Sequence, residues 1–209
     1  MMGEPKPAFV VESRDPRLRA TRYAQNLRLL NQVLADSPFH ERYALFGGLL
    51  LGLVRDGRPL PGDFDADFYY LDVFDREFEE ATTKLAEAGF QRLYRFRAND
   101  GEHWEYTFQK DGAKFEFFRC RREGSGGLRY YDFVPMWPPR QQLLRYPDGP
   151  LSKFKFLDCD WLRVDDVDAG LTMHYGDWRT PDPRWVWHRD PLALKIEPWH
   201  YAHEMKWVS

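Results

Sequence analysis

Apolar residues first recur at helical spacing. Tyr23, Leu27, Leu30 and Leu34 fall four, three and four residues apart after the helix-opening pair Asp15-Pro16. The spacing predicts a helix that lays one face on a sheet and leaves its basic outer face to solvent. A second helix is predicted over 75–88, with Phe78, Ala81, Leu85 and Ala88 on one side and a stop at Gly89. Its acids Glu77, Glu79, Glu80 and Glu87 face solvent in this reading. Between the two helices the period shortens. Residues 43–46 read as a short buried strand that runs into Gly47-Gly48 and a brief apolar helix over 49–54. The run FDADFYYL at 64–71 alternates as a strand, giving Ala66, Phe68 and Tyr70 to a core and Asp65 and Asp67 to the other face. Downstream, 104–108 and 114–118 alternate in the same way around Gln109-Lys-Asp-Gly112, a hairpin signal. A last helix, capped by Asp165 or Asp166, carries Val167, Leu171 and Tyr175 on one edge and ends at Gly176.

This order of elements predicts an α+β fold, a small mixed β-sheet with helices packed on one face. Residues 1–209 read as one domain, with a core motif at 43–118. From 137 onward Pro138, Pro139, Pro181, Pro183, Trp185, Trp187, Pro198, Trp199 and Trp207 read as an irregular wrap over 137–209. At 209 residues and 43% hydrophobic, the chain is long enough to bury a proper core. A net charge of -3 argues against a long nucleic-acid partner, which needs a basic face. One local cluster, Arg119, Arg121, Arg122 and Arg129 around a Gly-Ser-Gly-Gly tip, reads either as a solvated hairpin tip or as a loop that closes over a diphosphate.

Two cysteines, Cys120 and Cys159, form no staple framework and read as free thiols of a reducing compartment. The first residues lack a signal-peptide pattern, and no run reaches the length of a membrane span. The expectation is a cytoplasmic protein that makes peripheral membrane contact if its acceptor is lipid-linked. His200 and His203, three apart, have no cysteine or acid pattern to complete a zinc site and read as packing, as do His174 and His188.

The chemistry concentrates between Phe46 and Asp67, where a glycine pair, one arginine and a carboxylate pair follow in sequence. Asp65 and Asp67, side by side on one strand face, repel unless a cation offsets them, and their hard oxygen donors suit Mg2+ or Mn2+. Gly47 and Gly48 at a helix start let a phosphate approach amides that carry partial positive charge. Arg55 closes that segment and can fork onto a phosphate. Glu116, flanked by Phe115 and Phe117, is the candidate third acid. It either joins the site as a metal ligand and general base or stands as an exposed sheet residue.

The linked set resembles the LicD family of the nucleotidyltransferase superfamily, which includes phosphocholine transferases and fukutin-related proteins. The family pattern, roughly G-T-L-L-G-x-x-R followed by P-W-D-D-D-x-D, lies over residues 48–67 without a gap. Gly48, Leu50, Leu51, Gly52, Arg55, Pro61, Asp63, Asp65 and Asp67 match it. Leu49, Gly62 and Phe64 depart from it. A second similarity, at 174–181, is to the family's closing Y-G segment. The resemblance implies a metal on Asp65, Asp67 and Glu116, with phosphate or substrate contacts from Gly47, Gly48, Arg55, Asp63, Tyr175 and Asp177, the last two reading otherwise as helix-stop packing. It further implies a phosphotransferase that moves a phospho-alcohol from a nucleotide-diphosphate donor of CDP-alcohol type to a sugar, polyol or glycan hydroxyl. Two alternatives stay open: a nucleotidyltransferase acting on a small hydroxylated molecule, and a catalytically silent ligand-binding member.

Overall fold

The computed structural model describes residues 15–71, 75–124, 126–187 and 193–202. Helix α1 spans Pro16–Ala35, and its N-cap Asp15 accepts the amide of Arg17. Strand β1 (Tyr43–Leu45) leads directly into α2 (Gly47–Arg55), and β2 (Asp65–Tyr70) follows. Next come α3 (Asp75–Glu87), β3 (Gln91–Arg97), β4 (His103–Lys110) and β5 (Ala113–Arg119). These five strands form one mixed sheet in the order β1-β2-β5-β4-β3, in which only β2 and β5 run parallel. The β4–β5 turn is tight because Asp111 and Gly112 both take positive φ, 49° and 75°.

One face of this sheet is apolar. Ala66, Phe68, Phe115, Phe117, Tyr106 and Phe108 are buried on it beneath the predicted stripe of α1, where Tyr23, Leu27, Leu30 and Leu34 are also buried, and beneath Phe78, Ala81 and Leu85 of α3. Phe39 and Trp161 join the same cluster, Trp161 stacking on Phe68 at 5.8 Å between ring centroids. The predicted solvated side of α1 is partly engaged: the Arg19 guanidinium lies 3.9 Å above the Phe64 ring, and Arg28 Nε donates to the Leu157 carbonyl.

The expected irregular wrap is corrected. A four-stranded antiparallel sheet in the order β11-β8-β7-β6 is built from β6 (Arg121–Glu123), β7 (Gly127–Val134), β8 (Arg140–Tyr146) and β11 (Lys195–Pro198). A separate hairpin joins β9 (Leu151–Phe156) to β10 (Cys159–Val164). Its turn uses Leu157 and Asp158 at φ 54° and 59°, and without glycine it carries no ordinary hairpin signature. Helix α4 (Val167–Tyr175) is capped by Asp166 and stops at Gly176, φ 68°, as its sequence predicts. Trp207, His203 and His188 lie outside the described residues, as do the N-terminal 14. Among the described residues no helix is long and apolar enough to cross a membrane.

The arginine cluster does not reach the cavity described below. Arg119 and Arg121 pair with Glu102, and Arg122 pairs with Asp148. Cys120 is buried and Cys159 half-buried, both as free thiols. The second sheet closes on the first through Phe46, Tyr69, Phe118, Tyr130, Leu144 and Tyr146, a separate buried cluster. The polar face of the first sheet therefore turns apolar just past Asp67.

Gly52 shows why α2 carries a glycine at its centre. The segment after the helix crosses it so closely that a Cβ at Gly52 would stand 2.7 Å from both the Arg58 carbonyl oxygen and the Leu60 amide nitrogen. Alanine gains up to about 1 kcal/mol of helix propensity over glycine, whereas forcing backbone apart costs about 1–3 kcal/mol. The close approach dominates, so Gly52→Ala is expected to lower stability, read as an earlier midpoint in urea unfolding.

Candidate active site

The parallel register of β2 with β5 assembles the site. Asp65 pairs with Lys114 and Asp67 with Glu116, so alternation sends all four side chains to the same face. On the other side of β5, Thr107 pairs with Glu116, which brings Glu105 and Thr107 to that face as well, and Tyr94 of β3 stands opposite Thr107. Over this floor opens a cavity of about 1400 Å³. It is lined by Asp63, Asp65, Asp67, Glu105, Lys114 and Glu116, and on its far side by His174, Tyr175, Asp177 and Trp185. Every predicted site residue, Gly47, Gly48 and Arg55 included, lines it.

The glycine pair works differently from its sequence-based expectation. The space at Gly47, expected to admit a phosphate, is taken by Asp67. A Cβ at Gly47 would lie 2.2 Å from Asp67 Oδ2, and the residue has φ 50°. The Gly48 amide donates to Asp67 Oδ2 at 2.9 Å. Helix α2 has no side-chain cap from Phe46, so the carboxylate of a neighbouring strand serves its N-terminal amides instead. Asp63 lies alongside: its Oδ1 accepts the Asp65 amide at 3.1 Å, and its Oδ2 comes within 2.8 Å of where a Gly48 Cβ would stand.

Arg55 is forked onto Asp56 by two bonds of 3.0 Å. That fork uses Nε and Nη2 and leaves the Nη1 protons outside it. Glu116 Oε1 accepts the Tyr94 hydroxyl at 3.0 Å and the Thr107 hydroxyl at 3.4 Å. The same Thr107 hydroxyl reaches Glu105 Oε1 at 3.2 Å, and its single proton serves one acceptor at a time. Lys114 Nζ stands 3.1 Å from Asp65 Oδ2 and 3.6 Å from Glu116 Oε1.

Crowded carboxylates in a poorly hydrated pocket resist ionisation. Burial, and then the charges of Glu116, Asp63 and Asp65, hold Asp67 well above the usual carboxylate range, against the opposing pull of the Gly48 amide. Burial also pushes Asp63 up to about 6, with Asp65 and Glu116 adding to the effect. Glu116 and Glu105 are raised chiefly by burial, and Lys114 opposes the rise at Glu116.

At the far wall Tyr175 and Trp185 have ring centroids 4.7 Å apart. His174 is held edge-on to Phe46 at 5.3 Å, with Nδ1 3.3 Å from the Tyr130 hydroxyl. Burial lowers His174 to about 4, so its imidazole is neutral at physiological pH.

Sequence reasoning missed Lys114, Glu105, Tyr94 and His174 as site residues. For the first two a signal existed: Lys114 precedes Glu116 by two, and Glu105 sits two from Thr107, which the hairpin places opposite Glu116. Tyr94 lies past a β-bulge that hides its face. The three departures from the family pattern have structural occupations. Leu49 is buried in the main core, Phe64 packs edge-on to Tyr23, and Gly62 turns at φ 80°.

Carboxylate oxygens are the donor type that suits a hard divalent cation. Among the described residues no three His, Cys, Asp or Glu side chains stand together in ready ligating geometry. Lys114 instead holds the space between Asp65 and Glu116. No protein-family model matches the chain, and no curated protein matches it either.

A carboxyl group whose proton is held more tightly in the folded than in the unfolded chain stabilises the fold below its ordinary pKa. That contribution is lost as pH rises through the raised value. Asp67→Asn removes the repulsion while keeping the shape and the acceptor for Gly48. In metal-free buffer it is therefore expected to raise stability at pH 7.5 by about 1–2 kcal/mol, with a smaller gain at pH 5. Asp63→Asn is expected to show the same sign, its gain growing as pH rises from about 4 to about 6. Thermal melts in EDTA across that range check both.

Proposed function

We propose that this chain is a metal-dependent phosphotransferase of LicD type, moving a phospho-alcohol from a nucleotide-diphosphate donor to a sugar or polyol hydroxyl. The observation that carries the reading is the convergence of Asp63, Asp65, Asp67 and Glu116 on one cavity floor beside the N-terminus of α2. A structural role alone does not account for so many mutually repelling carboxylates, since the raised pKa of Asp63, of Asp67 and of Glu116 each marks a cost to the fold.

Asp67, with Asp63 and Asp65 beside it, would hold a divalent cation. When bound, such an ion neutralises phosphate charge and polarises the phosphorus centre. The remaining roles belong to the chain. Tyr94 fixes Glu116 Oε1, and Oε2 would take the proton of an attacking hydroxyl. The hydroxyl oxygen bonds to phosphorus as the phosphoanhydride bond opposite it breaks, and the nucleoside monophosphate leaves with the electron pair. Lys114 lines the same cavity and would supply counter-charge to phosphate oxygens, with Arg55 adding the guanidinium protons that its fork on Asp56 leaves over. The cavity exceeds the roughly 300–1,000 Å³ typical of a single small-ligand site, which suits a donor and an acceptor held together.

Thermal-shift titration of Mn2+ with CDP, UDP, ADP and GDP is expected to show a metal-dependent rise for one nucleotide, absent in Asp67→Asn. With the matching activated alcohol, Asp65→Asn combined with Asp67→Asn is expected to lose turnover by at least about 10³-fold. Unchanged turnover in that double variant sinks the proposal. Product analysis separates release of the nucleoside monophosphate from its transfer, the latter defining a nucleotidyltransferase.

A further inference from the structure

Three basic side chains line the cavity among the described residues, and two of them are committed elsewhere: Arg55 to Asp56, and Arg184 to Asp182. Lys114 alone of the three pairs with the floor carboxylates. Its backbone amide donates to the Phe64 carbonyl at 2.9 Å, pinning the start of β5 beside the residue before Asp65. From that anchored position Nζ bridges two strands, 3.1 Å from Asp65 Oδ2 and 3.6 Å from Glu116 Oε1. An ion shared between Asp65 and Glu116 would have to stand where the ammonium stands, and two cations at that separation repel strongly.

Resting on the phosphoryl-transfer reading of the cavity, we propose that Lys114 is a resident cation in place of a second metal ion. The chain then binds a single divalent ion, on the Asp67 side. The ammonium supplies the second positive charge and meets a phosphate oxygen of the donor. This arrangement also assigns Lys114 a positioning role: it holds Glu116 away from the metal and engages Asp65 through Oδ2 alone while charge builds on the substrate.

Isothermal titration of Mn2+ into the full chain, without nucleotide, reads the proposal directly. Wild type is expected to bind one ion. Lys114→Gln is expected to bind two, or to bind its ion about tenfold more tightly, because the competing charge is gone. Lys114→Arg, which keeps the charge, is expected to stay at one. Arg184→Gln removes a cavity cation that pairs with Asp182 instead and is expected to change nothing. Should Lys114→Gln fail to fold, judged by its melt, Asp65→Asn with Lys114→Gln removes both partners and is expected to bind one ion.

Two ions on wild type, or one ion of equal affinity on wild type and Lys114→Gln, overturns this proposal and leaves the metal-dependent reading standing. Binding of no Mn2+ by either protein overturns both.

Discussion

The in-register parallel pairing of β2 with β5 is the constraint from which the site follows. Side-chain alternation gives the chain no choice once those strands align: the apolar set Ala66, Phe68, Phe115 and Phe117 goes under the helices, and Asp65, Asp67, Lys114 and Glu116 share the opposite face. Slipping the register by one residue would bury the acids beneath α1. Burial of the aromatic set thus holds together charges that would otherwise separate. The local devices around them answer that crowding. The N-terminus of α2 caps Asp67, Tyr94 and Thr107 hold Glu116, and Lys114 spans Asp65 and Glu116.

The same constraint gives the motif glycines their physical meaning. Gly47 is small because Asp67 fills its side-chain space, and Gly52 is small because the chain returning toward Asp63 crosses α2 there. Each glycine serves the protein's own backbone or carboxylate. Phe64, where the family pattern has an acid, anchors the site from behind through Tyr23 and Arg19 instead.

Where burial and period agree, the sequence was legible. The stripe of α1, the alternation of β2 and β5, the Asp111-Gly112 turn and the Gly89 and Gly176 stops are all where pattern places them. The region after 137 was not, because proline and tryptophan density masked ordinary alternation in Arg140–Tyr146, and Leu157-Asp158 turns without glycine. Of the site, the acids could be read from motif spacing. Lys114 and Glu105 share the acids' face by the same alternation, but Tyr94 and His174 could not be read, because a β-bulge breaks the period before Tyr94 and period two does not say what covers the face.

The cavity's two sides come from different parts of the chain. Its floor is spread over β2 to β5, locked to the main core, so any change there is felt through the whole sheet. Its far wall, His174 to Trp187, is one short continuous segment leaving the end of α4, with Asp177 and Arg184 exposed along it. Under the proposed function, reactivity and ligand choice are thus separately heritable: exchange of that segment for another would change what enters while leaving the floor untouched.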